Sequence, residues 1–169
     1  VSNISDLLSS GSNKTIGITI SLTLPAKTEW VWVEELYKGI DKALKKYGGI
    51  ILGGDCSTGN HKTISITALG IQGELKLRRN ACRPGEIILT TGIHGLSKLG
   101  FMMQNNFDID FPLNERLIKK SIEHFCRPQL YPKFLANLLK TRSNKQITRI
   151  GCTDSSDGLF QALQDLAIS

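Results

Sequence analysis

The sequence holds no C-x-x-C pair, no long basic block and no apolar run long enough to cross a bilayer, and each absence removes a class of function. Cys56, Cys82, Cys126 and Cys152 are widely separated, so neither a zinc ribbon nor a dithiol redox motif is indicated and reduced thiols are expected. The longest strongly apolar stretches, an alternating run over 15–24 and a short run over 50–52, fall far below the roughly 20 residues a spanning helix needs. No membrane partner is expected.

The net charge is +6, but the basic residues are scattered, with Lys45-Lys46, Arg78-Arg79 and Lys119-Lys120 as isolated pairs. That pattern suits solvated faces and argues against a nucleic-acid partner. Val1 is followed by a polar, helix-like segment and not by a charged, then apolar, leader. A cytoplasmic protein is therefore expected, and the missing initiator methionine suggests a piece of a longer product. There is no P-loop, no dinucleotide fingerprint over 92–100, and no G-x-S-x-G elbow, while His61, His94 and His124 show no ligand spacing. Triad hydrolysis is poorly supported, and any ATP would be held by a less common route.

What is present is a chain with 40% apolar residues, enough to bury a core. Residues 4–10 read as a short helix. Ile16, Ile18, Ile20, Leu22 and Leu24 then alternate with small polar residues, the period of a half-buried strand, up to Pro25. From Thr28, a candidate N-cap, Val33, Leu36, Tyr37, Ile40, Leu44 and Tyr47 recur at helical spacing until Gly48-Gly49. A short strand over 50–52 leads into Gly53-Gly54-Asp55, and residues 63–69 alternate again. Arg83-Pro84-Gly85 punctuates the chain before an expected strand over 86–91 and a helix through Met103. A largely polar loop over 104–112 follows. Residues 113–125 and 131–141 predict helices, 147–152 a strand and 158–168 a final helix. Strict strand–helix alternation is absent, so the expected class is α+β, with a domain boundary near Ala81.

Three acidic motifs and one arginine segment could carry chemistry. In Thr153-Asp154-Ser155-Ser156-Asp157-Gly158, two carboxylates and two hydroxyls converge before an expected helix start, where backbone N–H groups are unpaired. Asp and Ser are also preferred N-caps, so capping and ligand roles compete evenly. In Gly53-Gly54-Asp55, a carboxylate follows two glycines and could hold a hard cation near a phosphate; the same triplet is an ordinary turn. Asp6, in Asn3-Ile4-Ser5-Asp6, lies on the polar side of its helix and alone reads as a surface acid. Arg78-Arg79 could offer a planar fork to phosphate or be a plain surface pair.

Taken in order, Asn3-Ile4-Ser5-Asp6, Gly53-Gly54-Asp55-Cys56-Ser57, the run 64–70, Arg79-Asn80-Ala81-Cys82-Arg83-Pro84-Gly85 and Asp154-Ser155-Ser156-Asp157-Gly158-Leu159 resemble the thiamine-monophosphate kinase family. The resemblance covers nearly the whole chain. It implies the two-domain fold of the aminoimidazole ribonucleotide synthetase superfamily, which uses ATP without a P-loop and dimerises through its N-terminal domain. Residues 1–80 would be the C-terminal part of that dimerisation and ATP/Mg-binding domain, and 81–169 the N-terminal part of the second, so both domains would be incomplete here.

The implied activity is Mg²⁺-assisted transfer of a phosphoryl group from ATP to thiamine monophosphate, giving thiamine diphosphate, without a side-chain nucleophile. The resemblance assigns magnesium to Asp6, Asp55, Asp154 and Asp157, and ATP contacts to Gly54, Asp55, Arg79 and Ser156. Tyr37 falls where the family places an aromatic near the nucleotide, although its helical spacing equally fits a core role. A homodimer is implied for the complete protein.

The chain departs from the family at Asn80 and Ala81, where serine and glycine are usual, and at Tyr131-Pro132, where a second arginine is usual. The upstream acidic segment and the downstream thiamine-closing residues of the family would lie outside Val1 and Ser169, so the isolated chain is expected to be inactive. Two other readings stay open. One is a sister enzyme, such as aminoimidazole ribonucleotide synthetase, selenophosphate synthetase or the hydrogenase maturation dehydratase. The other is a non-catalytic nucleotide-binding or dimerisation module whose acids only cap helices and turns.

Overall fold

The computed structural model describes residues 1–74, 76–140 and 149–169. It divides into two compact units, Ser2–Arg78 and Arg79–Ser169. The architecture mixes helices with one mixed sheet, the expected α+β class.

The first unit is built on three strands, β1 (Ser12–Leu24), β2 (Ile50–Thr58) and β3 (Thr63–Gln72), in the order β2-β1-β3. The alternation of β1 holds at Ile18, Ile20 and Leu22, which are buried, Ile20 to 1% exposure, but Ile16, beside the register shift between Thr15 and Gly17 in the pairing with β3, is 42% exposed and Leu24 is only half-buried. Helix α1 (Ser2–Ser9) packs on β1 and β3, burying Ile4. Its Asn3 side chain donates from Nδ2 to the Ile66 carbonyl at 2.9 Å.

Helix α2 (Trp30–Tyr47) connects β1 to β2, which run parallel as a helical crossover requires; β3 returns antiparallel to β1. The helix ends because Gly48 and Gly49 adopt φ of +92° and +98°, values that favour glycine, with Lys45 and Lys46 near the negative end of the dipole.

Two expectations in this unit are corrected. The N-cap is Glu29, without a side-chain capping bond. Thr28 instead closes a turn through its N–H to the Pro25 carbonyl at 2.9 Å, so the helix starts one residue later than the capping preference suggested. More consequentially, Gly53-Gly54-Asp55 is not a loop after a short strand. The strand runs through it, with a register irregularity between Ile18 and Thr19 after which Thr19, Ile20 and Ser21 pair with Gly53, Gly54 and Asp55. A Cβ at Gly54 would fall on the Ile20 carbonyl oxygen. The glycine is thus demanded by close approach of two strands, not by a turn.

The second unit begins with a single 3-10 turn, Arg79–Ala81, and carries α3 (Leu96–Gln104), α4 (Glu115–Cys126), α5 (Pro132–Lys140) and α6 (Leu159–Ile168). α3 follows Gly95, which adopts φ of +90°. α4 starts at Asn114, whose side chain accepts the Leu117 N–H at 2.8 Å, a standard N-cap. The α3–α4 crossing is tight, since a Cβ at Gly100 would meet the Ser121 carbonyl, and Phe101 stacks edge-on against Phe125 with centroids 5.7 Å apart.

The expected strand over 86–91 is absent. Its residues join no ladder among the described residues, leaving Ile87, Ile88 and Leu89 exposed. A short β-prone apolar run does not make a strand without a neighbour. Of the expected strand 147–152, Ile147 and Thr148 lie outside the described residues, and the remainder shows only an isolated bridge at Gly151. The last residue of the expected helix 131–141, Thr141, also lies outside them.

Candidate functional site

In the first unit, the acids sit on different elements. Asp6 is exposed on α1, and its backbone carbonyl gathers the end of that helix, accepting from Ser9 Oγ (3.0 Å), Ser10 Oγ (2.8 Å) and Ser10 N (3.1 Å). Asp55 is exposed in β2, in register with Ser21 of β1, which in turn opposes Ser65 of β3. Two residues on, the Ser57 hydroxyl lies 3.0 Å from Thr23 Oγ1. Because α1 packs on β1 and β3 whereas Asp55 belongs to β2 at the other edge, the sheet order does not bring these two carboxylates together through neighbouring strands. Tyr37 is half-buried on α2, and Gly54 is fixed by β1 as described.

The second unit brings its candidates closer along the chain. Asp154 is half-buried and accepts from both Oγ and N of Ser156, the latter at 3.4 Å, which folds the loop into an Asx-type turn. The Ser155 carbonyl then accepts the Gly158 N–H at 3.0 Å. Gly158, at φ +101°, is the N-cap of α6 and has no side chain to cap it with. The backbone N–H that Asp154 accepts is that of Ser156, which lies before the helix, and among the described residues no first-turn N–H of α6 bonds to Asp157. Asp157 is exposed immediately before the cap, at the end of the helix where free N–H groups and the dipole favour anions. Just upstream, burial pushes the Cys152 thiol pKa up, and the neighbouring Cys82 and Asp154 act in the same direction.

Arg79 opens the unit. Its Nη1 pairs with Asp165 Oδ2 of α6 at 3.1 Å, and Asp165 Oδ1 accepts a hydrogen bond from Gln161 Nε2 at 2.8 Å. The segment after it is clasped by Arg149, which donates to the Ala81 carbonyl and, at 2.6 Å, to Glu86. Glu86 also accepts the Arg83 N–H at 2.8 Å. The Arg149 hydrogen bond first, then that backbone bond, hold the Glu86 carboxyl below the usual carboxylate range. Sequence reading did not identify Arg149, Glu86 or Asp165, because pairings across 63 or more residues leave no local signature.

Among the described residues, no three His, Cys, Asp or Glu side chains form a group able to hold a metal. That does not conflict with the donor chemistry for Mg²⁺, which keeps several waters and typically takes only one or two carboxylates together with substrate phosphates. Asp154 and Asp157 supply hard oxygen donors of that kind.

Residues 1–72 match the family model described as AIR synthase related protein, N-terminal domain. The thiamine-monophosphate kinase of Prochlorococcus marinus is 44% identical over 169 residues, covering 99% of this chain and 51% of that relative. That of Synechococcus elongatus is 33% identical over 162 residues, covering 95% of this chain and 48% of its own length. Among solved structures, AaThiL complexed with AMPPCP and TMP superposes with a TM-score of 0.72 at 25% identity, covering 82% of this chain and 43% of that one. The likeness to these kinases extends over residues of both units. The chain belongs to the thiamine-monophosphate kinase family, of whose curated members it spans about half the length.

Proposed function

We propose that this chain supplies ATP- and Mg²⁺-binding elements of an enzyme that phosphorylates thiamine monophosphate to thiamine diphosphate. The observation that carries the reading is the loop Asp154–Asp157, which presents two carboxylates and a hydroxyl at the start of α6 without using either carboxylate to cap it. The names of the relatives, and the binding of AMPPCP, an ATP analogue, by the similar AaThiL chain, support it.

In this reading Asp6, Asp55, Asp154 and Asp157 hold Mg²⁺, which when bound neutralises phosphate charge. Arg79, with its side chain 57% exposed, offers a planar fork to a phosphate oxygen. Ser156, Gly54 and the first backbone N–H groups of α6 contact the nucleotide, and Tyr37 lies near it. The acceptor is an oxygen of a phosphate that is already ionised, so no strong general base is required; positioning and charge compensation do the work. Residues 1–80 and 81–169 are read as parts of two domains of a cytoplasmic, homodimeric enzyme.

The test is Asp154→Asn and Asp157→Asn in the protein expressed from its complete coding sequence, assayed for thiamine diphosphate formation from ATP. Loss of turnover by about 100-fold or more is expected at unchanged circular dichroism. Full activity in both variants overturns the reading and leaves the acids with a merely local structural role.

A further inference from the structure

The Arg79–Asp165 ion pair joins the start of the second unit to the helix that follows its acidic loop. As a surface contact it would count for little, but three features distinguish it. The Asp165 side chain is only 26% exposed, against 57% for Arg79. Both of its carboxylate oxygens are engaged, Oδ1 by Gln161 and Oδ2 by Arg79, so the acid has little freedom to reorient. It also stands on α6, whose N-terminal end receives the chain directly from Asp154–Asp157, about 9 Å away along the axis at 1.5 Å per residue from Leu159.

One rigid element therefore carries the end of the acidic loop and the anchor for the arginine. A guanidinium presents five donors in a fixed fork. The contact with Asp165 is made through Nη1, which sets the plane of that fork while the exposed side chain stays accessible to an anion. Arginine is the residue for which such orientation matters, since its phosphate contacts are bidentate and planar.

We propose that Asp165 is a positioning residue for the nucleotide phosphates: it touches no substrate itself, but holds the Arg79 guanidinium in register with the Asp154–Asp157 loop, and Gln161 braces it from the preceding turn. The inference rests on the reading of Arg79 as a nucleotide ligand, and the experiment separates the two. In the protein expressed from its complete coding sequence, kcat and KM for ATP and for thiamine monophosphate are measured in Asp165→Asn, Arg79→Ala and the double variant, with thermal unfolding alongside. Asp165→Asn is expected to raise the KM for ATP by up to about fivefold, the scale of one partly exposed ion pair, with kcat and the KM for thiamine monophosphate nearly unchanged. Asp165→Glu restores part of the affinity. In the Arg79→Ala background, Asp165→Asn adds nothing.

An ATP KM unmoved by Arg79→Ala overturns the parent reading. An ATP KM raised by Arg79→Ala but unmoved by Asp165→Asn overturns the positioning role alone. The positioning role also falls if the Asp165→Asn effect persists at full size in the Arg79→Ala background, because the residue would then act through helix stability. Should Asp165→Asn fold poorly, the exposed Gln161→Ala serves in its place, with a smaller rise in the ATP KM expected and no rise counting against the proposal.

Discussion

Replacing Gly39 and Gly54 by alanine, one at a time, should move stability in opposite directions. Gly39 lies inside α2, and a Cβ there would meet nothing within 4 Å. Alanine in an exposed helix interior gains about 0.5–1 kcal/mol over glycine, through the unfolded chain's lost freedom and better helix propensity. Gly54 lies in strand β2, and its surroundings are crowded. A Cβ there would fall on the Ile20 carbonyl oxygen, with Ile20 C at 2.8 Å and N at 3.1 Å. These are main-chain atoms of the central strand, so no rotamer change relieves them, and β1 and β2 must part. Overpacking of this kind costs about 1–3 kcal/mol.

The two variants should therefore differ by about 1.5–4 kcal/mol, or several degrees in Tm at about 2–4 °C per kcal/mol. Urea and thermal unfolding of the complete protein, followed by circular dichroism, measure the gap. Two stabilised variants, or a Gly54→Ala protein as stable as the wild type, would refute the strand-packing argument. A Gly54→Ala protein of normal stability with a raised KM for ATP would show that the glycine serves phosphate approach instead.

Asn114→Ala should cost about 1 kcal/mol, because the Leu117 N–H loses the acceptor that caps α4; unfolding by urea checks it, and a neutral result would remove the cap from the account. Glu86 gives a pH signature. Its folded-state pKa is lowered by Arg149 and then by the Arg83 N–H, so its stabilisation is complete above the ordinary carboxylate range and is lost as pH falls through the lowered folded value. The Tm difference between wild type and Glu86→Gln should be widest at neutral pH and shrink on acidification, whereas a gap independent of pH would break the argument.

The parts of the fold legible in the sequence were those set by local rules. The alternation over β1 gave buried Ile18, Ile20 and Leu22, and the double glycine after Tyr47 ended α2 where two positive φ values are needed. What failed depended on a partner. Gly53-Gly54 looked like a turn because glycine pairs usually are, and only the closeness of β1 reveals them as strand residues. Residues 86–91 have a strand's composition but no ladder to join among the described residues. The same division holds for the candidate site. The acids were visible as short motifs in order, whereas Asp165 and Arg149 acquire meaning only through residues far away in sequence.

The position of β1 in the middle of its sheet also has a consequence for biosynthesis. It leaves the ribosome before α2 and before either strand that flanks it, carrying Ile16, Ile18, Ile20 and Leu22 on a chain segment whose strand-pairing hydrogen bonds await later residues. At bacterial-type elongation rates this interval lasts on the order of seconds. The centre of the finished sheet is thus, for that time, an exposed apolar strand with two open edges, the segment on which a nascent-chain chaperone would act and from which misassembly would start.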